Sequence, residues 1–216
     1  MIFETGHLYH IYNQGNNRQR IFFKDENYLL FLRKMREYII PYADILAWCL
    51  MPNHFHIMVY VNKLEINRPE NQTTDSLSQR ETIGRREVIC IENKDSKLRT
   101  FNDSIGFLIR SYTQAINKQE NRTGSLFKSH TKAECVTKTE GITPSYFNTS
   151  FGSQINVRIP EEEYPIVCWN YIHKNPVAAK IVDRAEDYEY SSYRDFIGLR
   201  DGKLINKNRA KEFGII

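Results

Sequence analysis

Two histidines separated by one residue, His54 and His56, are the side chains of this sequence best suited to chemistry. They lie in the run 51–60, Met-Pro-Asn-His-Phe-His-Ile-Met-Val-Tyr, which is typical of a β-strand. Because side chains alternate across a strand, both imidazoles point to one face and the large apolar side chains point to the other. Two imidazoles at this spacing can hold one divalent cation. A polar strand face turned to solvent has the same pattern, so the spacing alone leaves both interpretations open.

A tyrosine and an asparagine four residues apart, Tyr171 and Asn175, form a second candidate group. The segment 161–176 begins with three glutamates, which favour a helix N-terminus, and Pro176 is expected to end that helix. Residues four apart share one helix face, so a phenol would lie beside an amide oxygen that can ligate a metal. His173, two residues from the tyrosine, should face elsewhere.

The length of the chain limits the architectures that can carry these residues. The chain has 216 residues, 41% of them hydrophobic, which is enough to bury a core and predicts a single domain over 1–216 with insertions. A hydrolase barrel can also place His-x-His at the end of its first strand, but such a barrel needs roughly 250 residues. We therefore exclude the barrel.

Composition predicts a soluble cytoplasmic protein. No run of eighteen apolar residues could span a bilayer, and the first residues lack the basic-then-apolar order of a signal peptide. The four cysteines form no CxxC pair, so free and mostly buried thiols are expected rather than a zinc knuckle or a redox dithiol. The net charge of +4 is a mild excess that suits a polyanionic partner without requiring one.

Strand and helix patterns alternate before the histidine pair. Residues 7–12 alternate like a strand, and Asp25 is a candidate cap for a helix that ends before Pro41. The predicted apolar positions of that helix are Tyr28, Leu29, Leu32, Met35 and Ile39. Two strand patterns, 43–50 and 55–61, follow around a short turn at 51–53, which predicts an antiparallel hairpin.

A second helix and a fourth strand follow a polar segment. Residues 62–100 are polar with little periodicity and are interpreted as an insertion, with one short edge strand around 88–91. Helical spacing returns over 105–116, with a cap at Asn102, Asp103 or Ser104, and its Tyr112 is interpreted as a core residue because its i+4 neighbour Ile116 is apolar. A strand is predicted from 124 to about 136, and a second insertion over 139–160.

The order strand, helix, strand, strand, helix, strand is that of the ferredoxin-like split βαβ fold. The predicted fold class is α+β: an antiparallel sheet with both helices on one face. His54 and His56 should then project from the open face. The added C-terminal helix with Tyr171 and Asn175 could close over them.

Four motifs in this order make the sequence resemble the single-tyrosine HUH transposases, and most closely their REP-associated tyrosine transposase branch. The motifs are Met-Pro-Asn-His-Phe-His at 51–56, Gly-Ser-Leu-Phe at 124–127, Tyr-Ile-His-Lys-Asn-Pro-Val at 171–177 and Tyr-Glu-Tyr-Ser-Ser-Tyr at 188–193. The resemblance covers about 6–60 and 101–196, and leaves out the two insertions and the last twenty residues.

The resemblance implies an enzyme that cleaves and rejoins single-stranded DNA folded into hairpins. By motif, His54 and His56 match the metal-binding pair, Asn175 the third ligand and Tyr171 the nucleophile. The implied cofactor is Mg²⁺ or Mn²⁺, and the implied intermediate is a 5′-phosphotyrosine. Two alternatives stay open: a nickase of the replication-initiator or relaxase kind, and a hairpin-binding descendant that no longer cleaves.

Basic side chains supply the candidate DNA contacts, since lysine and arginine neutralise phosphates. The candidates are Arg18, Arg20, Arg110, Lys118, Arg122, Lys128, Lys132 and Lys174. His130, which alternates with two of them, is a candidate hydrogen-bonding partner. The expected partner is single-stranded or hairpin DNA, with no membrane. The sequence leaves open whether the chain works alone or as a homodimer.

Overall fold

The fold is built on a four-stranded antiparallel sheet, seen in a computed structural model that describes residues 1–67, 98–137 and 160–216. Its strands are β1 (Leu8–Gln14), β2 (Ala43–Met51), β3 (His54–Val61) and β6 (Lys132–Cys135). Two short strands, β4 (Glu65–Ile66) and β5 (Arg99–Thr100), form a separate ribbon. The order across the main sheet is β2-β3-β1-β6, so the histidine strand is central.

Two long helices cover one face of the sheet, as the ferredoxin-like pattern predicts. These are α1 (Asp25–Tyr38) and α2 (Phe101–Gln119), and they pack on Phe55, Ile57 and Val59 of β3. Every second residue of β3 thus enters the larger core, which follows from strand alternation. The predicted α+β class and its helix layer are confirmed.

A third helix lies on the opposite face. This is α3 (Pro160–Ala178), whose Tyr164, Cys168 and Ile172 pack with Leu8 and Met58 of the sheet. The predicted end of this helix at Pro176 is wrong. The proline ring has a helix-compatible φ and removes only one N–H donor, and the amide of Ala179 still donates to the Asn175 carbonyl at 2.9 Å.

The chain after α3 crosses the edge of β2 and ends in two short helices. A single antiparallel bridge joins Ser191 to Cys49, and the amide of Ser192 donates to the Trp48 carbonyl at 2.9 Å. The helices are α4 (Tyr193–Phe196) and α5 (Lys207–Glu212). This segment therefore covers the β2 edge of the sheet.

The helix caps differ from the sequence expectation. Lys24, not Asp25, is the N-cap of α1, because Asn27 turns its amide oxygen back to accept from the backbone of Phe23 and Lys24. In α2 the cap is Thr100, which forms a capping box with Asp103, so the helix begins before the predicted 102–104.

Two further predictions are corrected. Leu29 of α1 is 60% exposed, because it lies outside the buried stripe that includes Tyr28 and Phe31. The fourth strand spans only Lys132–Cys135, and the preceding residues contact the end of β1 through separate hydrogen bonds, such as that from the Lys128 amide to the Gln14 carbonyl at 2.8 Å. These four residues pair with β1 from Tyr12 back to Tyr9.

Most of the two predicted insertions lies outside the described residues, as does the edge strand expected at 88–91. The described ends of the first insertion pair with each other, because Glu65 lies opposite Thr100 and Ile66 opposite Arg99. Within the described ranges, no helix is long and apolar enough to cross a bilayer. Three cysteines in those ranges, Cys49, Cys135 and Cys168, are free, and two of them are buried.

Candidate active site

The site lies where α3 crosses the ends of β1 and β3. The imidazoles of His54 and His56 project from β3 toward α3, and Asn175 of α3 reaches both of them. Its Oδ1 lies 3.3 Å from Nε2 of His54, and its Nδ2 lies 3.3 Å from Nε2 of His56. Strand spacing and helix spacing therefore bring three predicted site residues together.

The outer nitrogens of both histidines have partners of their own. Nδ1 of His54 lies 2.6 Å from Oδ1 of Asn53, whose Nδ2 donates to the Arg18 carbonyl. Nδ1 of His56 lies 2.8 Å from Nε2 of His10. The inner Nε2 atoms of His54 and His56 are thus the ones that face the helix.

The protonation of this cluster follows from its burial. Desolvation lowers the pKa of His10 to about 3, that of His56 well below its usual value, and that of His54 more moderately. Nearby imidazoles lower the pKa of His56 further. All three rings are therefore neutral at neutral pH, the form in which an imidazole ligates a metal.

One contact in the cluster pairs two acceptors. A neutral His54 carries one ring proton, and the 2.6 Å contact to Asn53 places it on Nδ1. Its Nε2 lone pair then faces the carbonyl oxygen of Asn175 across 3.3 Å with no proton between them. A cation between these two atoms removes the repulsion, so the donor set fits a divalent metal ion.

Tyr171 lies one helical turn before Asn175 and borders the same space. The centroid of its ring lies 5.4 Å from that of His56 and 6.1 Å from that of His10, both edge to face. Burial raises the pKa of the phenol, and a hydrogen bond with Asn175 opposes that rise. The predicted proximity of phenol, amide and histidine pair is thus present in the structure.

A cleft of about 260 Å³ opens onto these residues. Its lining is mixed, because residues of the site and basic side chains both contribute to it. The lining residues are Tyr12, Asn13, Gln14, His54, His56, Lys128, His130, Lys132 and Tyr171. The phenol and the histidines are therefore accessible from solvent through a cleft whose lining includes Lys128 and Lys132.

The predicted DNA contacts are distributed unevenly around this cleft. Lys128 and Lys132 line it and are exposed. Lys174 is exposed on α3, next to Asn175, and Arg18 and Arg20 are exposed in the loop after β1. Lys128 and Lys132 thus border the cleft, while Lys174, Arg18 and Arg20 are exposed outside its lining.

The other three candidates are also absent from the residues that line the cleft. Arg122 donates to the side-chain oxygen of Gln19 at 3.0 Å. Arg110 lies over the Phe107 ring, and it shares α2 with Lys118 in the layer on the opposite face of the sheet.

Sequence reasoning missed a polar group beneath the histidine pair. His10 touches His56, and the Tyr12 hydroxyl donates to Glu134 at 2.6 Å. His10 and Tyr12 share the sheet face of His56, because Tyr12 pairs with His56 in the β1–β3 register. The alternation of β1 could have placed them on one face, but the choice of face depends on a register that the local sequence does not fix.

Tyr112 and His173, a tyrosine and a histidine not assigned to the site, lie away from the cleft, as predicted. Tyr112 is buried on α2, and its hydroxyl donates to the Ile21 carbonyl at 2.7 Å. His173 turns away from the cleft, and its Nε2 lies 2.7 Å from Oγ of Ser192. That hydroxyl also accepts from the Trp48 amide at 2.9 Å, so it ties α3 to β2.

Comparison with known proteins agrees with this architecture. The solved structure of a REP-associated tyrosine transposase bound to a REP hairpin is similar over 95% of this chain and 92% of that chain, with a TM-score of 0.50 and 14% sequence identity. The chain has the fold of a tyrosine transposase. No protein-family model matches the sequence, and no curated protein matches it. The resemblance found in the motifs is therefore confirmed for the fold.

Proposed function

We propose that this chain is a metal-dependent DNA transposase that cleaves and rejoins single-stranded DNA beside hairpins through a 5′-phosphotyrosine. The observation that carries the proposal is the convergence of Tyr171 and Asn175 with His54 and His56 at one cleft. A protein that only binds DNA has no need of this combination. The similar solved structure, a transposase bound to a REP hairpin, supports the choice of substrate.

The metal ligands would be Nε2 of His54, Nε2 of His56 and Oδ1 of Asn175. No cluster of three His, Cys, Asp or Glu side chains suited to a metal occurs within residues 1–67, 98–137 and 160–216, so the third donor would be the amide. The family resemblance implies Mg²⁺ or Mn²⁺, and these ions favour oxygen ligands such as the Asn175 amide, water and phosphate. When bound, the ion would polarise the scissile phosphate and stabilise charge on its oxygens.

The covalent step would use the phenol of Tyr171 as nucleophile. Its oxygen forms a bond to phosphorus while the bond to the 3′ oxygen breaks, and the 3′ hydroxyl leaves with a proton. Because burial raises the pKa of the phenol, it starts protonated and loses its proton to solvent in the open cleft or to a base there. An incoming 3′ hydroxyl reverses the step and joins new ends, without a nucleotide cofactor.

The mouth of the cleft would hold the DNA backbone. Lys128 and Lys132 line the same cleft as Tyr171 and would neutralise phosphates next to the scissile one. Lys174, Arg18 and Arg20 extend the positive surface beyond the cleft. Tyr12 lines the cleft and offers an aromatic ring to an unpaired base.

The proposal is tested with labelled single-stranded hairpins, the full chain and Mg²⁺ or Mn²⁺, analysed on a denaturing gel. We expect a labelled band at the mass of protein plus DNA, which disappears with EDTA. Joining of an added 3′ end identifies a transposase, whereas cleavage without joining identifies a nickase. Hairpin binding with no adduct under any metal contradicts the enzymatic proposal and leaves a binding protein.

A further inference from the structure

His10 is a buried histidine that the proposed chemistry does not use. It is 1% exposed, in the middle of β1, beneath the metal-binding pair. Its Nε2 lies 2.8 Å from Nδ1 of His56, the nitrogen on the side away from Asn175. A contact of this length between two ring nitrogens is a hydrogen bond, so one ring donates and the other accepts.

The geometry of the pair suits an in-plane hydrogen bond. The two rings lie at 24° to one another with centroids 4.9 Å apart. Tyr12 stacks beside the His10 ring at 4.9 Å and 27°, and the edge of Tyr171 meets it from the helix. These contacts hold the His10 ring in one orientation, and its burial keeps water from replacing it as the partner of His56.

The direction of this hydrogen bond decides whether His56 can bind a metal. If His10 donates, the proton of neutral His56 must sit on Nε2, which closes the nitrogen that faces Asn175. If His10 accepts, the proton of His56 sits on Nδ1 and its Nε2 lone pair is free. The structure places Nδ2 of Asn175 3.3 Å from Nε2 of His56, and because an amide nitrogen can only donate, this placement requires the second arrangement.

We infer that His10 is a positioning residue for His56: it accepts the Nδ1 proton of that ring and so keeps the Nε2 lone pair pointed at the cation site. This inference rests on the metal site of the proposed function. Outer partners of this kind fix the tautomer and the orientation of a metal-binding histidine. Here the partner is an imidazole from the neighbouring strand, supplied by the β1–β3 register.

The first test reads the tautomer directly in the metal-free protein. Nitrogen-15 NMR of the histidine side chains, with the His56 signal assigned by its loss in His56→Gln, should show the proton on Nδ1. In His10→Phe we expect the proton to move at least partly to Nε2, while His10→Gln, whose amide oxygen can accept, should retain it on Nδ1. A proton on Nε2 of His56 in the unaltered protein overturns the inference and needs no variant.

The second test is Mn²⁺ affinity measured by calorimetry. We expect the dissociation constant to rise about 10-fold or more in His10→Phe, and to return to within about 3-fold in His10→Gln. His7→Phe is the control, because His7 lies just before the same strand and contacts Thr137 instead. An unchanged Mn²⁺ affinity in a folded His10→Phe protein overturns the inference.

Failure of the proposed metal site gives a different result from failure of this inference. If the unaltered protein does not bind Mn²⁺, or if His56→Gln binds it equally well, the metal site is wrong, and the tautomer measurement still decides the role of His10.

Discussion

Tyr171 and Tyr112, on two different helices, differ in the surroundings of their hydroxyl groups. Tyr171 borders an open cleft beside the histidine pair, whereas Tyr112 is fully buried and donates to a backbone carbonyl. The chemistry of a phenol depends on access to a phosphate, so only the first is placed for attack. The pair therefore offers a matched test of the nucleophile.

Replacing the nucleophile should separate cleavage from binding. We expect Tyr171→Phe to lose the covalent DNA adduct completely while binding the hairpin within about twofold of the unaltered protein, since the change removes one oxygen and no charge. The measurements are adduct yield on a denaturing gel and hairpin affinity by fluorescence anisotropy.

The control for that experiment is Tyr112→Phe. It should keep adduct formation and lose about 1 to 3 kcal/mol of unfolding free energy, because the Ile21 carbonyl is left without its buried partner. An adduct that survives in Tyr171→Phe but disappears in a folded Tyr112→Phe protein reverses the assignment.

The proposed third metal ligand can be tested against a neighbour on the same helix. Asn175→Ala should weaken Mn²⁺ binding at least about 10-fold, because it removes the oxygen that faces Nε2 of His54. Asn170→Ala is the control, since its amide donates to the helix backbone at Ile166. Equal Mn²⁺ affinity in the two variants would show that the amide of Asn175 is not a ligand.

At the scale of elements, the site depends on how α3 is held against the sheet. Its apolar side chains pack on the face of β1 and β3, and Ser192 fastens it to the edge of β2 through His173. Both serine contacts are buried. The last of the four family-like motifs, 188–193, therefore has a structural role in placing the helix that carries Tyr171.

Removal of that serine hydroxyl should destabilise the protein. In Ser192→Ala the Trp48 amide and the His173 ring lose a buried partner, at a cost of about 1 to 3 kcal/mol. For a chain of this size each kcal/mol lowers Tm by about 2 to 4 °C. Ser129→Ala, at an exposed residue, should leave Tm unchanged, and equal Tm values for the two variants in a thermal scan would contradict this role.

Sequence patterns predicted the elements well where one face is apolar. Strand alternation placed Phe55 and His56 on opposite faces, and helical spacing placed Tyr171 beside Asn175. The patterns failed where contacts between distant parts of the chain determine which residue is buried and where a strand ends. Leu29 is exposed because the buried stripe of α1 runs through Tyr28, Phe31 and Met35, three or four residues apart, and Leu29 lies outside it. The ladder between β1 and the fourth strand is limited to Lys132–Cys135, a length that local alternation does not fix.

Across the whole molecule, the proposed DNA binding depends on where the basic side chains lie relative to one cleft. Lys132 of β6 and Lys128 just before it line the cleft, while α2 keeps Arg110 and Lys118 in the layer on the opposite face of the sheet. The sequence could identify basic residues but not this division, because it depends on which layer each element occupies.

The salt dependence of hairpin binding tests whether the basic side chains that contact DNA are those at the cleft. Lys128→Gln and Lys132→Gln should each lower the slope of log affinity against log salt by about 0.7, the value for one phosphate contact on a single strand. Lys211→Gln, on α5 beyond the β2 edge, should leave the slope unchanged. Equal slopes for all three variants would place the DNA elsewhere on the surface.

In the proposed function, Tyr171 becomes covalently attached to DNA at the cleft near His54, His56 and Asn175. Mass spectrometry of the protease-digested adduct formed with a single-stranded hairpin and Mn²⁺ tests this attachment at the level of one residue. We expect a nucleotide linked to the peptide that contains Tyr171, at that residue and only with metal present. A nucleotide attached to another tyrosine, or no adduct from protein that binds both Mn²⁺ and the hairpin, would contradict it.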